Sequence, residues 1–232
     1  MTARARDLRH TVHASSALII GGAALALAMG AAHGDLPEGS GAAALRFVAD
    51  RPSYALVHFG SIIGVVLWTV GLRSSSALFD DTRARLVAQW ASTVATIGAG
   101  VLAVQFSLDG FGLPAMADRF AAADLAARAT LAEVAEVTAD AMVGLALMWV
   151  IMLYGLAVSL LAAATLLDAS VHRWLGFAGL AVGVWTGAAS LTVALGGSLI
   201  PDWLAFVSGI VGGNLWLIGW AALIRRRRSP AQ

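Results

Sequence analysis

Six stretches of this chain are long and apolar enough to cross a lipid bilayer, and this limits its possible folds more than any other feature. They run over residues 14–33, 54–72, 86–108, 138–166, 174–196 and 203–224. About 20 apolar residues in a helix cover the hydrocarbon core. Apart from Asp140, near the start of the fourth, no stretch contains Arg, Asp or Glu. Strand-type alternation is absent, which argues against a barrel. In hydrocarbon a backbone must satisfy its own polar groups, so an uninterrupted apolar run becomes a helix. The expected fold is all-α: a six-span transmembrane bundle forming a single integral membrane domain over residues 1–232.

Composition agrees. The chain is 59% hydrophobic and 12% charged, with mean hydropathy +0.80. A soluble domain is nearer half apolar and a quarter charged. All fifteen basic residues are Arg. Without Lys no retinal or other Schiff base forms. Without Cys there are no disulfides, thiolate metal sites, Fe–S clusters or c-type haem attachment. The net charge of +1 gives no reason to expect a nucleic-acid partner; the expected partner is the lipid bilayer. The first run has a basic start and small residues at Ala31 and Ala32, like a secretory signal, but is read as a retained span.

Arginine placement sets the expected orientation. With the N-terminus inside, the inner segments carry Arg4, Arg6, Arg9, Arg73, Arg83, Arg85, Arg173 and Arg225 to Arg228; the outer ones carry Arg46, Arg51, Arg119 and Arg128. Eleven against four follows the positive-inside rule. Both termini are therefore expected in the cytoplasm of a bacterial inner membrane. Trp68, Trp90, Trp174, Trp203 and Trp220 fall near span ends, as an aromatic belt would, whereas Trp149, Trp185 and Trp216 read as packing residues. The second outer connection, 109–137, holds an Ala-rich stretch after Pro114. It reads as an extra helix, either interfacial or extending the fourth span.

Gly179, Gly183 and Gly187 form a double G-x-x-x-G, the spacing that lets helices approach closely. It suits packing within the chain, or a homo-oligomer or membrane-protein partner. LDGFGLP at 108–114 and LGGSLIP at 195–201 share Leu, Gly and Pro at an offset of 87 residues. That is a faint sign of duplicated hairpins, as in some transporters.

The ionisable residues are few. Glu133, Glu136 and Asp140 lie within about 60° on a helix, in a stripe about 10 Å long. Glu133 and Glu136 suit a wet helix start, while Asp140 lies deeper. His33 ends the first span and His58 lies about a turn inside the second, with Asp109 ending the third on the same side. His33, His58, Asp109, Glu136 and Asp140 are thus the candidate ligand-binding residues, and His33, His58 and Asp140 the candidate metal ligands. Histidine with carboxylate can hold a divalent metal, and two histidines a b-type haem. No P-loop, G-x-S-x-G or dinucleotide fingerprint indicates an enzyme. The expected function is a non-enzymatic small-molecule-binding or accessory membrane subunit with an outward-facing polar pocket. A haem- or quinone-linked redox subunit and a small transporter with a midplane cavity near Gln105 and Asn214 are the alternatives.

HFGSIIGVVLWTVGL at 58–72, LDGFGLPAMA at 108–117 and HRWLGFAGLAVG at 172–183 resemble an uncharacterised family of bacterial multi-pass membrane proteins, a domain of unknown function. The resemblance spans about residues 14–224. It implies the membrane architecture and no activity.

Overall fold

The computed structural model describes residues 3–37, 39–168, 171–197 and 199–228, with side chains from His10 to Arg226 apart from Asp202. The side chains of Arg4, Arg6, Arg9, Arg227 and Arg228, expected to anchor the two ends, lie outside the described set. Among the described residues every regular element is helical. The helices are α1 (Ala3–His33), α2 (Gly41–Ala49), α3 (Tyr54–Ser75), α4 (Thr82–Ser107), α5 (Leu113–Ala122), α6 (Leu125–Val150), α7 (Val158–Leu167), α8 (Arg173–Ala194) and α9 (Asp202–Arg228). A π-helical segment, Leu108–Gly112, joins α4 to α5, and another, Ile151–Ala157, joins α6 to α7. The result is six long apolar helices, sufficient for a multi-pass membrane protein, with α2 as the additional short one.

Large apolar side chains cover the outside. On α3, Leu56, Phe59, Ile63, Val66 and Val70 are exposed at helical spacing. The opposite face buries Val57, His58, Ser61, Val65, Trp68 and Leu72. An apolar exterior with polar groups turned inward suits a lipid solvent. The interior is built by close approach. A Cβ at Gly22 of α1 would stand 2.5 Å from Gly64 O and from Trp68 N of α3. Only glycine lets these backbones meet along their length.

The second outer connection forms helix as expected, and it lengthens the third span as well as the fourth. It is almost wholly helical: α4 to α5 runs 41 residues as Thr82–Ala122, and α6 to α7 runs 43 as Leu125–Leu167. At about 1.5 Å per residue each exceeds 60 Å, about twice the hydrocarbon thickness. Their far ends form a two-residue hairpin. The Asp124 side chain accepts from Ala127 N, while the Arg128 guanidinium donates to Phe120 O and Ala121 O. Thus α5 extends the third span and α6 the fourth. The short helix α2 packs between them through Leu45, Val48, Tyr54, Leu113, Ala117, Ala135 and Met142. These elements form a cap over one end of the bundle.

The expected tryptophan placements are corrected. Trp68 and Trp220 are fully buried rather than belt residues: Trp68 lies at the Gly22–Gly64 approach, and Trp220 donates to Thr165 Oγ1 and stacks on Phe79; Trp185 is exposed, donating to Ser208 Oγ. The Gly179, Gly183 and Gly187 face packs within the chain, against Trp216, Ser159 and Gly155. The two LxGxxxP stretches do not match as structures. LDGFGLP is helical throughout, whereas Gly196 in LGGSLIP turns the chain with φ +76°.

Because a Cβ at Gly64 would press to 2.8 Å from Gly22 O, whereas one at Gly100 meets nothing within 4 Å, the two sites should respond oppositely. Gly64→Val is expected to lower the Tm in detergent by several degrees. Gly100→Ala should hold or raise it, since Ala is favoured over Gly by about 1 kcal/mol in a helix. Thermal unfolding followed by circular dichroism makes the comparison.

Candidate functional site

The α1–α3 contact ends at the cap, where the two helices deliver one histidine each. His33 is the last residue of α1. Gly34 follows with φ +68°, the left-handed turn that closes many helices. The turn brings Gly34 O within 2.5 Å of His33 Nδ1. His58 lies one turn into α3, and its Nδ1 is 2.8 Å from Tyr54 O. A carbonyl only accepts, so each Nδ1 carries a hydrogen and donates it. With both rings neutral the two remaining nitrogens, Nε2, would each offer a lone pair; they lie 2.9 Å apart, close enough to share one proton.

Asp109 completes the group from the third span. It sits in the π-helical segment, whose wider turn places Asp109 and Gly110 on the buried side. A Cβ at Gly110 would collide with His58, so glycine is needed for this approach. Asp109 Oδ2 stands 3.0 Å from His58 Nε2 and 3.5 Å from His33 Nε2. Its other oxygen, Oδ1, accepts from the Tyr54 hydroxyl at 2.5 Å. Arg51 donates to His33 O at 3.0 Å and stacks on Phe47, 3.8 Å from the ring centroid, which holds the end of α1 in place. Phe106 forms an aromatic floor, 5.1 Å from the His58 ring and 6.2 Å from His33, and Trp149 packs edge-on beneath it. His58 and Asp109 are buried; the His33 side chain keeps 25% of its surface and is the exposed member.

Of the five candidate residues, His33, His58 and Asp109 come together and Glu136 and Asp140 do not. The buried stripe of α6 passes through Ala135 and Met142. Positions 133, 136 and 140 lie about 100–160° around the helix from Ala135. Glu133, Glu136 and Asp140 are therefore exposed and line an open hollow with Gly39 and Ser40. The metal-ligand set is corrected accordingly: Asp109 takes the place expected of Asp140, and among the described residues the convergent set is His33, His58 and Asp109.

The sequence reading passed over Tyr54, Arg51 and Phe106. Tyr54 had a readable signal, since positions 54 and 58 share one helix face. With the two rings 4.6 Å apart between centroids, no macrocycle fits between them, so this pair cannot clasp a haem in this arrangement. At midplane, Gln105 accepts from Trp149 Nε1, and Asn214 donates to the Tyr154 hydroxyl at 2.8 Å. Those two residues are engaged with buried aromatic neighbours.

No family model, curated protein or solved structure matches the chain.

The turn at Gly34 supports the site mechanically. Gly34→Ala would force a side chain into positive φ and against the Arg51 guanidinium. A loss of about 1–2 kcal/mol is expected. It should appear as a lower Tm and faster proteolysis between α1 and α2, whereas Gly39→Ala, also at positive φ but with nothing within 4 Å, should cost less.

Proposed function

We propose that the chain is a multi-pass protein of the bacterial cytoplasmic membrane that acts as a non-enzymatic ligand-binding or accessory subunit. Its ligand pocket is the His33–His58–Asp109 site, at the outer end of the bundle beneath the cap. One observation carries this reading: two imidazole lone pairs and a carboxylate oxygen, each oriented by a hydrogen bond behind it, converge on one point. Ionisable groups inside a membrane are costly and mark functional sites by default. Three acceptors facing one another repel unless something electron-poor lies between them.

The eleven-to-four arginine asymmetry supports the orientation. The cap holds Arg46, Arg51, Arg119 and Arg128. Two of these arginines are engaged with backbone carbonyls: Arg51 with His33 O, and Arg128 with Phe120 O and Ala121 O. They therefore serve as local structural contacts as well as charges.

Two experiments test the parts separately. The chain has no cysteine, so single cysteines report cleanly. In intact cells a membrane-impermeant maleimide is expected to label Asp118→Cys in the cap and to leave Ser74→Cys untouched; the reverse pattern would invert the topology. For the pocket, native mass spectrometry after gentle extraction is expected to resolve a bound species on the wild type that Asp109→Asn lacks. Equal, bare masses for both would count against a ligand site.

A further inference from the structure

Resting on the reading of the triad as a ligand site, we infer that its ligand is one divalent first-row transition-metal ion of the Zn²⁺ class, held by His33 Nε2, His58 Nε2 and Asp109 Oδ2.

Geometry is the first support. The three atoms form a triangle with edges of 2.9, 3.0 and 3.5 Å. An ion with ligand bonds of about 2.0–2.1 Å spaces adjacent ligands about 2.9 Å apart in an octahedron and about 3.4 Å in a tetrahedron. The observed edges span that range. The triangle's circumscribed radius is about 1.8 Å, so an ion at such bond lengths sits about 1 Å off its plane. That is a facial arrangement with the remaining positions open. Three protein ligands with open positions distinguish reactive or exchangeable metal sites from closed structural ones.

The groups behind the ligands agree. Metal-bound imidazoles donate their other N–H to a carbonyl or carboxylate, and a ligating carboxylate is itself hydrogen-bonded. Here Gly34 O and Tyr54 O hold the two Nδ1–H groups, and the Tyr54 hydroxyl holds the free oxygen of Asp109. The donor set narrows the metal. Mg²⁺ and Ca²⁺ favour all-oxygen shells, and Cu⁺ favours sulfur; two imidazoles with one carboxylate suit Zn²⁺ and its divalent neighbours. The part-exposed ring of His33 marks the open side, where water or a small Lewis base would complete the shell.

The rival is a single proton shared between the two rings, which would satisfy the same lone pairs without binding metal. The full chain, purified in mild detergent and stripped with a chelator, is to be titrated with Co²⁺ and with Zn²⁺. Saturation at one equivalent is expected, with a visible Co²⁺ absorption that Zn²⁺ displaces. Asp109→Asn, nearly isosteric and therefore expected to fold, should weaken Zn²⁺ binding about tenfold or more. Tyr54→Phe should weaken it roughly 10–100-fold through the lost hydrogen bond. The pair Glu136→Gln with Asp140→Asn should leave it unchanged, as should His10→Ala with His13→Ala at the far end of α1. Circular dichroism and elution volume confirm the fold of each variant. Absence of saturable binding, or binding indifferent to Asp109→Asn, overturns the metal assignment. If the stripped protein takes no Zn²⁺ while native mass spectrometry still resolves an Asp109-dependent organic species, the metal inference falls and the ligand site stands. If neither appears, both fall.

Discussion

The approach of α1 to α3 through Gly22 and Gly64 governs much of what this molecule can do. It brings two backbones into contact near the middle of the bundle. Two helices so placed must end close together, and the residues at their shared end are His33 and His58. Separate these helices by the width of one methyl group and the Nε2 atoms no longer stand 2.9 Å apart. Much of the geometry at the cap end is therefore decided about three turns from His33 and under two turns from His58, by residues without side chains. Close packing of this kind replaces the hydrophobic effect, which gives little drive for association once helices are already in lipid.

A low dielectric raises the stakes for every polar group the bundle encloses. An unpaired donor or acceptor there loses far more than it would in water. Most buried hydroxyls meet this by bonding a carbonyl of their own helix, as Ser61 does with Val57 O and Thr165 with Leu161 O. The triad cannot, because its groups face one another across helices. Its outward hydrogen bonds to Gly34 O, Tyr54 O and the Tyr54 hydroxyl fix the orientation of the groups that converge, His58 Nε2 lying 2.9 Å from His33 Nε2 and 3.0 Å from Asp109 Oδ2. The Asn214–Tyr154 pair, by contrast, is joined by one direct hydrogen bond between helices.

The six spans were legible because twenty apolar residues admit one physical solution in a membrane. The helix after Pro114 was legible too, but the point where it breaks was not. The tip at Ala123 and Asp124 lies in an Ala-rich run with no Gly or Pro, and only Asp124 and Arg128 mark it, through capping bonds that need three dimensions to be seen. The site was half legible. His33, His58 and Asp109 announce themselves as polar residues at similar depth. Asp140 announces itself equally, and helical periodicity alone groups it with Glu133 and Glu136 without saying which way the stripe faces. Ala135 and Met142 settle that, because they are the residues the cap buries. The π-helical turn that brings Asp109 inward has no composition of its own. Trp68 was misplaced for a related reason: nearness to a span end predicts a belt, but the glycine contact beside it turned that face into core.

The floor of the site bears on how a ligand would move. Phe106 closes the pocket below, Trp149 meets it edge-on, and the Trp149 indole is tied to Gln105. Beneath these, Tyr154 packs on Trp68 and takes a hydrogen bond from Asn214 of the last helix. These aromatic side chains stand between the triad and the opposite end of the bundle, where Phe79 and Trp220 stack. His33, whose side chain keeps 25% of its surface, is the exposed member of the triad. A ligand entering past His33 would therefore leave by the same route unless several buried aromatic rings repacked. Under the binding proposal, this packing would make the cap, rather than the middle of the bundle, the element that senses occupancy. Tyr54 is the direct link, since it hydrogen-bonds Asp109 and also packs among the cap residues Leu45, Val48 and Leu113.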